Sequence, residues 1–309
     1  MDERFKEQVM MDSLKKITTS SQNKIYYNER LSKYSWFNLG GPAEVFFRPN
    51  TVDQLKDFLK NNTKEIQIIG AGSNLLIRDG GVKGVVIKLS SSFSYTKLLD
   101  KNIIEAGAAT LDKKVSDFAS EKSLGGLEFL SCIPGSIGGA IRMNSGCYGE
   151  DISKILLSIQ TIDKEGNINE LKTDDINFTY RNCDLPNDVV ILSAKFKTNH
   201  LNKQDIENKK KKFIENKKNS QPSRIKTCGS TFKNPNDIKA WELIKKSGCG
   251  SISVGDAEIS KKHCNFFVNN GQASSSEIET LIKIVREKVF KATGIKLELE
   301  IKVIGKDEV

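Results

Sequence analysis

A chain of 309 residues, 38% hydrophobic and 28% charged, has apolar material for one large buried core or two to three smaller ones. It holds no run near the ~20 apolar residues of a membrane helix, and its start, Met1-Asp2-Glu3-Arg4-Phe5-Lys6-Glu7, lacks the apolar stretch of a secretory signal, so no membrane association and a cytoplasmic location are expected. The net charge of +9 raises nucleic acid as a partner, but much of the excess sits in Lys203–Lys218 with no interleaved aromatics to stack bases; this stretch reads as a mostly solvated helix, an anion-attracting patch being the alternative, and no nucleic acid is expected.

Residues 1–17 read as a peripheral amphipathic helix or a loose tail. From Trp36 to Leu89 short strands alternate with glycine turns around one helix, residues 52–60, with Thr51 as its N-cap. Residues 65–69 form a short buried strand that feeds Gly70-Ala71-Gly72-Ser73-Asn74. A dinucleotide fingerprint needs a third glycine where Leu75 stands and a helix next. The sequel is instead Leu75-Leu76-Ile77-Arg78, then Asp79-Gly80-Gly81, then residues 84–89, which reads as strand, tight turn, strand. Residues 102–106 are a strand and 111–122 a helix with Val115, Phe118 and Ala119 inward.

A second glycine stretch follows, Pro134-Gly135-Ser136-Ile137-Gly138-Gly139-Ala140. Two such stretches in one half of a chain suggest backbone amides converging on a phosphorylated ligand, held by loops between strands because no Walker sequence is present. Two ordinary hairpin turns are the plainer alternative. Residues 154–198 read as strands around a Glu165-Gly166 turn. Beyond the lysine-rich helix come a helix at 240–247, a strand at 264–268, and a long helix at 277–293 with a Ser274/Glu277 capping box and Gly294 past its end. Residues 295–304 alternate strictly, with Ile295, Leu297, Leu299, Ile301 and Val303 on one face and Lys296, Glu298, Glu300 and Lys302 on the other, as a last strand should. The mixture, without regular βαβ alternation, is α+β. Six cysteines without C-x-x-C pairs and only two histidines, His200 and His263, supply neither a metal site nor a Ser-His-Asp triad; the cysteines read as buried small apolar residues.

These residues resemble a known family. Trp36-Phe37-Asn38-Leu39-Gly40-Gly41-Pro42-Ala43, Gly70–Leu75, Pro134–Ala140 and Asn144-Ser145-Gly146-Cys147-Tyr148-Gly149 are similar to the flavin-binding half of the UDP-N-acetylenolpyruvoylglucosamine reductases (MurB). Tyr180-Arg181, Gly229-Ser230-Thr231-Phe232-Lys233-Asn234-Pro235 and Leu297-Glu298-Leu299-Glu300-Ile301 extend the likeness over residues 30–305. The resemblance implies a vanillyl-alcohol-oxidase-like (PCMH-type) FAD fold with a C-terminal α+β substrate domain. It divides the chain into a tail (1–20), two FAD-binding subdomains (21–90 and 91–199), a substrate-binding domain (200–296) and a terminal strand returning to the active site (297–309). It implies non-covalent FAD, NADPH as hydride donor, and reduction of an enolpyruvyl ether on UDP-N-acetylglucosamine to UDP-N-acetylmuramate by a monomer, in the subtype without an inserted tyrosine loop.

By the same resemblance FAD is held by Gly40, Gly41, Gly70, Ala71, Gly72, Ser73, Asn74, Leu75, Pro134, Gly135, Ser136, Gly138, Gly139, Ala140, Asn144 and Gly146. Lys233 and Asn234 are substrate contacts. Arg181 holds the substrate carboxylate, Ser230 donates a proton to C2, and Glu300, if protonated, hydrogen-bonds the enol. Departures from the family pattern are Cys183 for serine, Leu299 for proline and Asn38 for a basic residue. Two rivals stand beside this reading: a related flavin oxidase or dehydrogenase with another substrate, and a non-catalytic flavin-binding module. Neither histidine lies near a flavin motif, which disfavours a tethered oxidase.

Overall fold

The computed structural model describes residues 24–236 and 238–308; the expected N-terminal amphipathic segment lies outside them. The first layer is a four-stranded sheet in which Pro42–Arg48 pairs antiparallel with Lys24–Arg30 and parallel with Val82–Ile87, and Val82–Ile87 pairs parallel with Ile66–Ile68. Helix α1 (Val52–Asn61) covers it. The Thr51 hydroxyl accepts from the Gln54 amide at 3.2 Å, as its capping role demands. Leu55, Phe58 and Leu59, spaced for one helical face, pack onto Val45, Phe47, Val85 and Ile87, with the Phe47 and Phe58 rings stacked at 4.0 Å.

The strand–turn–strand expected after the first glycine stretch contains both strands but no hairpin. Leu75–Ile77 pairs in parallel with Lys302–Ile304, while Val82–Ile87 belongs to the first sheet. The turn between them is occupied from outside: the Gly80 amide donates to the Lys306 carbonyl at 3.1 Å, and the Lys306 amide to the Gly81 carbonyl at 2.9 Å. The chain therefore changes sheets at Asp79-Gly80-Gly81 instead of folding back on itself.

The second layer is a five-stranded antiparallel sheet ordered Ile168–Lys172, Leu156–Ile162, Val190–Lys197, Ile103–Gly107, Thr96–Asp100. The Glu165-Gly166 turn joins its first two members, with Gly166 at φ +80°. Helices α2 (Asp112–Glu121) and α3 (Ile137–Arg142) bury Val115, Ala119, Ile137 and Ile141 against Ile104, Ala106, Ile159 and Phe196. Helix α4 (Lys203–Ser220) lies over α2. It is not simply a solvated face. Lys210 is buried between Asp117 and Glu207, at 3.0 and 3.1 Å, and Lys217 donates to the Cys132 carbonyl at 2.5 Å.

The third layer joins α5 (Ala240–Lys246) and α6 (Ser275–Thr293) to a small sheet of Ser253–Val254, Ala257–Ile259 and Phe267–Asn269. The capping box of α6 is present in both directions, Glu277 amide to Ser274 Oγ at 3.0 Å and Ser274 amide to Glu277 Oε2 at 2.9 Å, and Gly294 ends the helix at φ +72°. The last strand is shorter than its alternation suggests: only Lys302–Ile304 pairs as a strand. Leu297 and Ile301 do turn inward, but the backbone of 298–300 bonds to Thr231 and Lys233. The core of this layer also takes in Phe37, Leu39 and Leu76. No helix among the described residues is long and apolar enough to cross a membrane. All six cysteines are free; four are buried, and Cys147 and Cys264 are partly so.

Candidate active site

The two glycine stretches meet. A Cβ at Gly70 would stand 2.7 Å from Ser136 Oγ, and one at Gly135 would stand 2.5 Å from Asp112 Oδ2 and 3.9 Å from Ser73 Oγ. Only glycine permits both approaches. The Ser136 hydroxyl is buried and has no protein partner among the described residues, which leaves a donor at the junction of the loops. Lys88, half-buried, donates to the Gly70 carbonyl; burial pulls its ammonium down to about 8. Converging loops, an unpartnered hydroxyl and a nearby cation fit the pyrophosphate of FAD.

Other predicted cofactor residues serve the protein's own packing. The missing side chains of Gly40, Gly41 and Gly72 make room for Ile77, Asp79 and Tyr34. Gly138 faces Ala108, whose Cβ would lie 3.3 Å from a Cβ there, so the close approach it permits is to protein. Leu75 and Ala140 are core residues. The second stretch also differs from a plain inter-strand loop, because its last four residues begin α3, with Ser136 at the N-cap position.

Asn144 and Gly146 lie on the path to the arginine. Asn144 accepts from the Ser153 amide at 3.0 Å and donates to the Thr179 carbonyl at 3.2 Å. That bond holds the Phe178–Thr179/Asn182–Cys183 hairpin, whose tight turn carries Tyr180 and Arg181. Arg181 sits at φ +58°, an uncommon conformation for a bulky side chain. Its guanidinium lies 5.0 Å from the Tyr180 ring centroid. It donates through Nη2 to the Gly146 carbonyl at 2.9 Å and through Nε to Glu300 Oε1 at 2.9 Å.

Glu300 belongs to a face that alternation alone assigns to solvent, yet its side chain is 17% exposed. Its amide donates to the Thr231 carbonyl at 2.9 Å, its carbonyl accepts from Asn74 Nδ2 at 3.0 Å, and the Lys233 amide donates to the Glu298 carbonyl at 2.9 Å. One stretch of backbone thus brings together the first glycine loop, the segment carrying Ser230 and the Arg181 turn. Burial raises the Glu300 carboxyl above its ordinary value, and Arg181 opposes the rise. Gly229, at φ +82°, has open space on its side-chain face. Lys233 stands 3.7 Å from Glu298, and Asn234 Oδ1 accepts from the Ala240 amide at 3.0 Å, at the start of α5.

Two residues that hold this site escape sequence reasoning. Asn265 brackets the Ser230 segment: its carbonyl accepts from the Thr231 amide at 2.8 Å, its Oδ1 from the Phe232 amide at 3.0 Å, and its Nδ2 donates to the Phe232 carbonyl at 2.8 Å. An asparagine before the paired aromatics Phe266-Phe267 was the only signal. Asp112 is fully buried, and neither carboxylate oxygen has a partner among the described residues; burial raises its carboxyl well above the usual range.

Profiles for an FAD binding domain and for the UDP-N-acetylenolpyruvoylglucosamine reductase C-terminal domain match residues 43–172 and 221–304. The chain is 46% identical over 299 residues to the UDP-N-acetylenolpyruvoylglucosamine reductase of Pelagibacter ubique (strain HTCC1062), covering 95% of this chain and 99% of that one. The chain belongs to the UDP-N-acetylenolpyruvoylglucosamine reductase family. The reductase of Orientia tsutsugamushi (strain Boryong) is 44% identical over 284 residues, 90% of this chain and 94% of its own. The crystal structure of the reductase (MurB) from Thermus caldophilus superposes with a TM-score of 0.80 at 31% identity, covering 91% of this chain and 98% of that one. Membership in the reductase family makes this chain an FAD-dependent, NADPH-using oxidoreductase with the fold expected from its motifs.

Proposed function

We propose that Arg181, Ser230 and Glu300 carry out the family reaction, reduction of enolpyruvyl-UDP-N-acetylglucosamine to UDP-N-acetylmuramate for peptidoglycan precursor synthesis. Bound FAD, reduced by NADPH, supplies the hydride that reaches C3 of the enolpyruvyl group. Gly70–Asn74 and Pro134–Gly139 would hold the cofactor at their junction, where the unpartnered Ser136 hydroxyl would be free to donate to a phosphate.

The observation that carries the reading is the Arg181–Glu300 contact beside the Thr231–Glu300 backbone bond. Charge that develops on C2 and the substrate carboxylate needs a cation held in place beforehand, and a guanidinium anchored on the Gly146 carbonyl provides one. A carboxylate docking on the Arg181 fork competes with Glu300 for it. Glu300, already raised by burial, then loses the partner that opposed the rise and takes up a proton. A protonated Glu300 donates a hydrogen bond to the enol oxygen without adding negative charge. Ser230, on the segment clamped by Asn265, delivers its hydroxyl proton to C2, and the neighbouring cations Arg181 and Lys233 ease that transfer. Lys233 and Asn234 serve as substrate contacts.

One chain supplies the whole constellation, which supports a monomer. The division into tail, two flavin subdomains, substrate domain and terminal segment follows the motif order. The test is anaerobic: NADPH should bleach the flavin absorbance of the purified protein, and enolpyruvyl-UDP-N-acetylglucosamine should restore it. A flavin that stays reduced on adding that substrate overturns the assignment.

A further inference from the structure

Cys132 and Cys147 have no part in the reaction, yet their sulfurs lie 3.1 Å apart. Cys132 closes the 3₁₀ turn Glu128–Cys132, and Cys147 sits on the two-residue strand Gly146–Cys147. Each sulfur also approaches the Phe129 carbonyl, at 3.1 and 3.7 Å, so both point into one small space. The strand is pinned to Glu150–Asp151 on its other side, and the Tyr148 ring stacks on Phe213 at 5.0 Å. The pair is therefore held, not merely close.

We infer that Cys132 and Cys147 form a peroxide-responsive dithiol that closes to a disulfide and, through Gly146, disturbs the anchor of Arg181. The Cys132 side opens on a groove of about 740 Å³ lined also by Trp36, Ile133, Gly135 and Lys217, wide enough for hydrogen peroxide. The Cys147 S–H, against burial and with help from the Lys217 ammonium, holds the Cys132 thiol below its ordinary value, and Cys132 is the sulfur that lines the groove, so it is the attacking one. Cys132 sulfur attacks one peroxide oxygen; an S–O bond forms, the O–O bond breaks, and hydroxide leaves as water after taking a proton. The Cys147 thiol then attacks the sulfenic sulfur; the S–S bond forms and the second oxygen departs as water. Two thiols and one peroxide give one disulfide and two waters.

The sulfurs must move together by about 1 Å to reach the disulfide length of about 2 Å. Cys147 is bonded to Gly146, whose carbonyl accepts from Arg181 Nη2 at 2.9 Å. Closing the dithiol pulls on that carbonyl. The effect on turnover, unlike the cross-link, rests on the role proposed for Arg181.

The test uses the FAD-loaded enzyme exposed to hydrogen peroxide, then digested with trypsin without reductant. Cys132 and Cys147 fall in separate peptides, residues 123–142 and 143–154. The expected product is the two joined, lighter by two hydrogens than their sum. In the same sample NADPH should reduce the flavin at the untreated rate, and substrate-driven reoxidation should slow about 10-fold, the loss expected when one hydrogen bond to a charged group is disturbed. Dithiothreitol should restore it. Cys147→Ser and Cys132→Ser should each abolish both the link and the slowing. Absence of the linked peptide overturns the proposal, as does a complete link with unchanged reoxidation, or peroxide sensitivity retained in both serine variants. Failure of the Arg181 role would appear separately, as normal reoxidation by Arg181→Lys without peroxide.

Discussion

The glycine junction and the Ser230–Glu300 corner are built by opposite means. At the junction side chains are removed, so that Gly70 can lie against Ser136 and Gly135 against Asp112. At the corner side chains are added and backbone strands cross, so that Asn74, Thr231 and Arg181 all bond to Glu300. The first kind of site is written in short local runs of sequence. The second exists only when residues far apart in the chain pair, and it fails by misplacement rather than by collision.

The comparison predicts that damage at the corner separates the two halves of the catalytic cycle, whereas damage at the junction affects both. The largest effect is expected for Ser230→Ala: flavin reduction by NADPH unchanged, and reoxidation by substrate slower by ~10²–10⁴-fold, the worth of a general acid. Stopped-flow absorbance reads both phases, and an equal loss in each would make Ser230 structural. Arg181→Lys should slow reoxidation by about 10- to 100-fold, because an ammonium cannot span the Gly146 carbonyl, Glu300 and a substrate carboxylate together. A normal rate in the same assay would remove Arg181 from the mechanism.

Asn265→Ala should cost about 1–3 kcal/mol of stability by stranding the buried amide and carbonyl of Phe232. Chemical denaturation measures it, and an unchanged midpoint would mean that water replaces the clamp.

The smallest effect tests the junction. Lys88 titrates at about 8 in the folded chain against 10.5 unfolded, so its burial opposes folding fully below pH 8 and ceases to do so as pH rises to 10.5. Between those limits the wild type should gain roughly 1 kcal/mol per pH unit relative to Lys88→Met. Parallel stability curves for the two would show that Lys88 is not desolvated.

What could be read in advance divides along the same line. The α6 helix, with its Ser274/Glu277 box and Gly294 stop, carries all its instructions within a few residues, and the structure agrees with the reading. The Asp79-Gly80-Gly81 turn carries a hairpin signal, but the chain segment that occupies it, Lys306 and Asp307, lies more than two hundred residues away. The alternation of residues 295–304 signals one buried face correctly but overstates the strand, of which only Lys302–Ile304 pairs, because a segment threaded between a core and a polar site alternates just as a strand does. Alternation also hides Glu300, since it cannot separate water from a protein pocket. Asp112 leaves no pattern and Asn265 only its place before Phe266-Phe267; their importance lies in backbone amides and loops that only the folded chain presents.

The bond from Asn74 to the Glu300 carbonyl spans 226 positions, and Leu75–Ile77 has Lys302–Ile304 as its ladder partner. During synthesis the first glycine loop therefore emerges from the ribosome long before the segment that braces it. At ribosomal elongation speeds of about 5–20 residues per second, that interval is on the order of ten seconds or more. Through that time the nascent chain carries an unpaired strand edge at Leu75–Ile77. The brace on the first glycine loop can therefore form only after the second and third layers have emerged.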